Sequence, residues 1–412
     1  MKSQTVRKCL WLAVAAIWLL MGSAQATNQF QIVHHFANAP GSTPVAALVA
    51  DSAGNLYGTT EFAGNKSCGD EGTGCGAVFK LTPTSGGGWS YNVIHSFNGL
   101  DGETPLAALI IDALGNLYGT TSAGGAYGSG TVFELSPSGS KWTERVLHSF
   151  GSHANDLGDP EGSLVFDGSG NLYGTGLFGG TSQNYGGVFE LKRSGTKWQE
   201  RVIYGFTGGS DGGRPGANLI WDSAGNLYGT TFGGGSTNCS FPGCGVVFEL
   251  TPGSSGNWTE AVLHSFGGAT DGFQPRCGLI FDTAGNLYGT TYSGNTVFEL
   301  MHSTGGWVFN LLHTFGGSDG ELPAAGVVLD TAGNLFGTTL EGGDTGAGVV
   351  FELSQSGGSW TETILHSFNA KAGEYPVAGL LLNQGVFYGT AEAGGLGYPA
   401  NSGYGVVFSI TP

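Results

Sequence analysis

Ten residues, D-S-A-G-N-L-Y-G-T-T at 51–60, recur along this 412-residue chain. Further copies stand at 112–121, 167–176, 222–231, 282–291 and 330–339, with a weaker one at 383–391. The aromatic residue of the motif falls at Tyr57, Tyr118, Tyr173, Tyr228, Tyr288, Phe336 and Tyr388, spaced 48 to 61 residues apart. Seven copies at such a period define a repeat architecture. Each unit then adds its own slice of core, and the usual ceiling on single-domain size lapses.

Each period holds four short extended runs separated by turn signals. In the second copy these are 106–112, 116–121, 131–135 (T-V-F-E-L) and 142–150 (W-T-E-R-V-L-H-S-F). No stretch after the leader shows helical apolar spacing over ten residues. The pattern predicts an all-β, seven-bladed β-propeller with four antiparallel strands per blade. The blades fall near 44–97, 105–150, 160–206, 215–266, 275–315, 323–368 and 376–410. The ends are offset by one strand. Residues 30–36, F-Q-I-V-H-H-F, read as a fourth strand, whereas the last copy stops at a third, 406–410. The spare N-terminal strand is therefore expected to complete the seventh blade and close the ring, which removes an exposed edge.

Residues 1–26 read as a secretory signal peptide, with Lys2, Arg7 and Lys8 ahead of an apolar run at 10–21 and a small-x-small site at Ala24-Gln25-Ala26. The apolar run is short for a membrane span. Residues 27–412 then form one exported, monomeric propeller, secreted or periplasmic, with no transmembrane segment. The leader carries bases and no acid, so the net charge of −17 becomes −20 once it is removed. Such a surface repels phosphate backbones and anionic lipid, which argues against nucleic acid as a partner. It leaves a glycan, a peptide, another protein or a cation.

The aspartate that opens D-x-x-G-N ends a strand and can accept from amides inside its own turn, a structural role. Loops between second and third strands vary most, at 61–75, 122–129, 177–186, 232–244, 292–295, 340–347 and 392–404. They share one face of the disc with the blade-to-blade crossovers, and variable loops on a rigid scaffold commonly bind. Cys68 with Cys75 and Cys239 with Cys244 are the simplest disulfides, each internal to one loop. Cys277 is left over as a small buried residue.

Histidines of the L-H-S-F position (His34, His95, His148, His264, His313, His366) lie on outer strands and cannot converge across the ring, since strands are about 4.8 Å apart. The tryptophan and glutamate series on the fourth and third strands read as blade furniture too. Two G-x-S-x-G matches, at 208–212 and 316–320, lack the strand-to-helix context of a nucleophile.

The candidate binding residues come from the crossovers. Asp101, Asp156, Asp211, Asp271 and Asp319 stand four residues before the proline that opens each first strand. Placed around the axial mouth, they would form a negative funnel for a divalent cation such as calcium; otherwise they are turn residues. Beside them Glu161 and Arg276 depart from the repeat, where other blades carry Val45, Leu106, Gly216, Ala324 and Val377.

The units G-N-L-Y-G-T-T, G-x-V-F-E-L and W-x-x-x-x-L-H-S-F resemble the repeat called GloVer of the bacterial choice-of-anchor tandem repeat proteins, over essentially all of 30–412. The D-x-x-G-N-L-Y core is similar, more loosely, to NHL propeller repeats. The resemblance implies an exported bacterial protein, often held at the surface by a C-terminal sorting segment. Ser409-Ile410-Thr411-Pro412 offers no apolar tail, so a free or periplasmic protein is expected. It implies no activity and no cofactor.

Three functions fit these readings. One is a non-enzymatic binding scaffold that stacks a glycan, or seats a peptide, on loop aromatics such as Phe62, Tyr127, Tyr185, Phe241, Tyr398 and Tyr404. A second is a hydrolase or lyase using Asp156, Glu161 or Arg276 at the axial mouth. The third is a purely structural envelope protein.

Overall fold

The computed structural model describes residues 28–37, 41–65, 68, 74–268, 270–395 and 403–412; the signal peptide expected at 1–26 lies outside them. Seven sheets of four antiparallel strands form the ring, with no α-helix among the described residues. Six sheets run in chain order from first to fourth strand. In the seventh, the N-terminal strand Gln29–His35 lies outermost, paired with the C-terminal strand Val406–Thr411 from Gln29 opposite Thr411 to His35 opposite Val406. The ring is closed as the offset of the ends requires.

Burial falls from the second strand of each blade to the fourth. All five residues of Leu117–Thr121 are buried, because neighbouring blades cover both faces. The outer strand Lys141–Ser149 alternates between exposed and half-buried residues. Core clusters accordingly lie between blades: Tyr57, Val78 and Phe97 of the first pack on Leu109, Leu117 and Phe133 of the second.

Two motifs interlock inside each blade. The glycine of L-Y-G-T-T pairs with the phenylalanine of V-F-E-L, as Gly229 does with Phe248. A Cβ on Gly229 would lie 2.6 Å from Phe248 Cζ, so only glycine lets the ring lie across the strand. The turn aspartates behave as their motif requires. Asp51 Oδ1 accepts from the amides of Ala53 and Asn55, and Oδ2 accepts from Asn55 Nδ2 and the Tyr57 hydroxyl. Burial pushes the Asp51 carboxyl up, but these hydrogen bonds together outweigh it and hold the group below its ordinary value.

A β-bulge interrupts the pairing of third and fourth strands in every blade, for example where Val132 faces His148 but Phe133 faces Val146. The skipped residue re-aims the following histidine along the outer strand.

Candidate axial site

Three rings of side chains surround the axis on the loop-rich face, each contributed by one position of the repeat. The first follows the crossover proline, at Val45, Leu106, Glu161, Gly216, Arg276, Ala324 and Val377, and lines a cavity of about 350 Å³ at the mouth of an apolar axial channel. The second is the residue before that proline: Thr43, Thr104, Asp159, Arg214, Gln274, Leu322 and Tyr375. All seven have left-handed φ, from 54° to 61°. A non-glycine residue there costs about 1 kcal/mol or more. It is held because each carbonyl accepts the amide that begins the next loop, as Arg214 O does from Phe232 N. That loop residue forms the third ring, which includes Glu61, Leu177, Phe232, Tyr292 and Glu392.

Charge on these rings is divided by blade. Arg276 lies 5.1 Å from the ring centroids of both Phe232 and Tyr292. Arg214 lies 5.4 Å from Phe178 and 5.1 Å from Phe241, a loop ring that is 75% exposed. Neither arginine is in an ion pair among the described residues, and Arg214 Nε is buried with no hydrogen-bond partner. Carboxyls share these rings. Burial pushes Glu161 up, reinforced by Asp159 and opposed by Arg276. Burial and the charge of Glu392 raise Glu61 to about 7, and burial raises Glu392. Gly216 keeps the mouth open, since a Cβ there would meet Glu161 Oε2 at 3.3 Å.

The five crossover aspartates are not gathered at this mouth, and the expected funnel is corrected. Each sits in the first half of its crossover, still at the rim, where the fourth strand ends. Asp101 accepts from Asn98 N, and its Oδ2 lies 3.3 Å from His95 Nε2. Asp211 accepts from Thr207 N and the Tyr204 hydroxyl. Asp271 and Asp319 contact His264 and His313 at 3.0 and 3.2 Å. Asp156 accepts from Gly151, Ser152 and Leu157 amides. Glu161 and Arg276 do line the axial cavity, as their departure from the repeat indicates.

The disulfides form as paired, Cys68–Cys75 and Cys239–Cys244, and Cys277 is free and buried. The second fastens the loop that carries Phe241 over Arg214. Tyr127 is also exposed, Tyr185 and Tyr404 pack against core clusters, and Tyr398 lies outside the described residues. Sequence reasoning passed over Arg214, Asp159, Glu61 and Glu392. Their columns are visible in retrospect: Asp159 and Arg214 stand beside a proline present in all seven copies, and Glu61 and Glu392 directly follow the second strand.

Fold and mouth together define a closed seven-bladed propeller with a bipolar axial pocket. The chain belongs to the Gloeobacter/Verrucomicrobia repeat family, whose model matches residues 21–241, 69–296 and 240–412. No curated protein matches it. Among solved structures it is similar to virginiamycin B lyase from Staphylococcus aureus, at 13% identity over 93% of this chain and 99% of that one, with a TM-score of 0.57. It is also similar to PorZ, a surface component of the type-IX secretion system of Porphyromonas gingivalis, at 16% identity over 90% of this chain and 47% of that one (TM-score 0.54). A third is a putative 6-phosphogluconolactonase from Bacteroides fragilis, at 16% identity over 86% and 98% (TM-score 0.52). At such identities the likeness shows the fold alone. The two disulfides imply an oxidising compartment, and no helix among the described residues is long and apolar enough to cross a membrane.

Proposed function

We propose that this is an exported, monomeric binding propeller whose axial mouth holds the carboxylate-bearing end of an acidic glycan. The observation that carries the reading is Arg214: a guanidinium bracketed by Phe178 and Phe241, with a buried Nε lacking a partner, in the wall of the cavity. A stacked guanidinium presents its donors edge-on in a fork that matches a carboxylate. Arg276 supplies a second fork, exposed Phe241 a stacking face for a sugar ring, and Glu161 a hydrogen-bonding group for hydroxyls. The side chains suffice for binding, with no cofactor.

One observation favours a second reading. Glu161 is held above the ordinary carboxyl range mainly by burial, in the same cavity as Arg276, which suits a general acid in a lyase or hydrolase. Thermal shift of the mature chain with an oligouronate, beside its neutral counterpart, tests the first reading. Stabilisation by the uronate alone, lost in Arg214→Met, is expected; equal shifts with both sugars, or none, would overturn it. Conversion of the uronate that stops in Glu161→Gln would transfer the site to the enzymatic reading.

A further inference from the structure

Away from the axis, the fourth strands of adjacent blades meet in seams built on one plan. The L-H-S-F histidine of one blade faces a fourth-strand residue of the next. Where that residue is aromatic, the two rings stack: His264 on Phe309 at 4.4 Å, His366 on Phe30 at 3.6 Å and His34 on Tyr91 at 4.2 Å. Where it is glutamate, the crossover aspartate stands beside it, and in two of those seams lies within 3.3 Å of the histidine, as His95 does with Asp101 and His313 with Asp319.

The seam between the second and third blades breaks the plan. Phe150 and Pro160 are ten residues apart, against eight or nine for the same pair in the other six crossovers. The longer turn wraps Asp156 in its own backbone: Oδ2 accepts from Gly151 N, Ser152 N and Ser152 Oγ, and Oδ1 from Leu157 N. Asp156 is 7% exposed and forms no hydrogen bond with the histidine. His148 Nε2 is buried without a hydrogen-bond partner, and so is Oε1 of Glu200 across the seam, as are His95 Nε2 and Glu144 Oε1 between the first and second blades; what sets this seam apart is how closely its donors converge. Donor atoms of His148, Asp156 and Glu200 all lie within 4.8 Å of one another. The added residues also bring His153, whose charge is felt by both His148 and Glu200.

We propose that His148, Asp156 and Glu200 form a binding site for a zinc-class divalent metal ion, clasping the second blade to the third. One imidazole nitrogen and two carboxylate oxygens suit zinc and its borderline neighbours better than calcium, which takes six to eight oxygens. The amides around Asp156 fix that carboxylate in place, as ligands of metal sites are commonly fixed. Each oxygen of a carboxylate has two lone pairs, so Oδ1, with a single amide donor, keeps one for the ion. The site is separate from the axial mouth and does not depend on its ligand.

The test is calorimetric titration of the metal-stripped mature protein with zinc chloride, with calcium chloride as control. One equivalent of zinc is expected, with affinity falling roughly tenfold or more in His148→Ala and in Glu200→Gln, and unchanged in His313→Ala at a sister seam. X-ray absorption of the zinc-loaded wild type, which needs no variant to fold, should show imidazole and carboxylate scattering. Failure of the wild type to bind, binding untouched by both substitutions, or a metal shell without imidazole would each overturn the site.

Discussion

The guanidinium of Arg276 lies 5.1 Å from the ring centroid of Phe232, a residue of the preceding blade, and the ring of Tyr292 stands at the same distance. Stacking orients the charged group without consuming its N–H donors. Lysine in this place keeps the charge and loses both plane and fork. Arg276→Lys should therefore weaken acidic-glycan binding by roughly tenfold, while urea denaturation shows a stability loss of only about 1 kcal/mol.

Glycines at two radii should respond oppositely to alanine. At Gly229 the new methyl would lie 2.6 Å from Phe248 Cζ and 2.9 Å from Leu219 Cδ2, deep in the blade. Gly229→Ala should cost about 1–3 kcal/mol, read as a lowered melting temperature. At Gly216 it meets Glu161 Oε2 at 3.3 Å and Leu177 Cδ1 at 3.5 Å across an open cavity. Gly216→Ala should change stability by under about 0.5 kcal/mol while narrowing the mouth and reducing glycan affinity.

Glu260 gives the seams a pH dependence. Burial, then the charge of Asp211, raises it from the ordinary 4.5 to about 7. Between those values the folded chain keeps a proton that the unfolded chain has released. Its contribution to stability is full below the lower value and is lost as pH rises through the upper one. Denaturation at about pH 5 and about pH 8 should show a smaller fall for Glu260→Gln than for wild type. His366, which burial lowers from 6.5 to about 4, acts in the opposite sense and destabilises the fold as pH drops through that window.

The Cys239–Cys244 bridge spans five positions. Loop-closure entropy for so short a segment gives about 2 kcal/mol. Replacing Cys239 by serine should lower stability by roughly that amount. The larger consequence is functional. Phe241 is released from Arg214, and glycan affinity falls more than stability does.

What the sequence made legible rests on counting and local pattern. Seven D-x-x-G-N-L-Y copies, four extended runs in each, and F-Q-I-V-H-H-F one strand ahead of the first copy led to a closed ring. Two cysteine pairs close in sequence led to their disulfides. Placement across the radius was harder. Asp101 and its counterparts stand only four residues before a proline near the axis, yet the crossover spends those residues at the rim, where their own turn amides capture them. The left-handed residues before proline went unread because nothing in Thr43, Asp159 or Arg214 signals positive φ; that conformation is imposed by the amides their carbonyls must accept. Glu161 and Arg276 were readable as departures from a fixed repeat. Arg214 sits in a column with no consensus to depart from.

The most direct measurement is isothermal titration of an oligouronate into residues 27–412 and into their Arg214→Met, Arg276→Met and His313→Ala variants. The account predicts a single site in the wild type, weakened roughly tenfold or more in each arginine variant and unchanged in the rim variant. Equal affinity in all four proteins would contradict it.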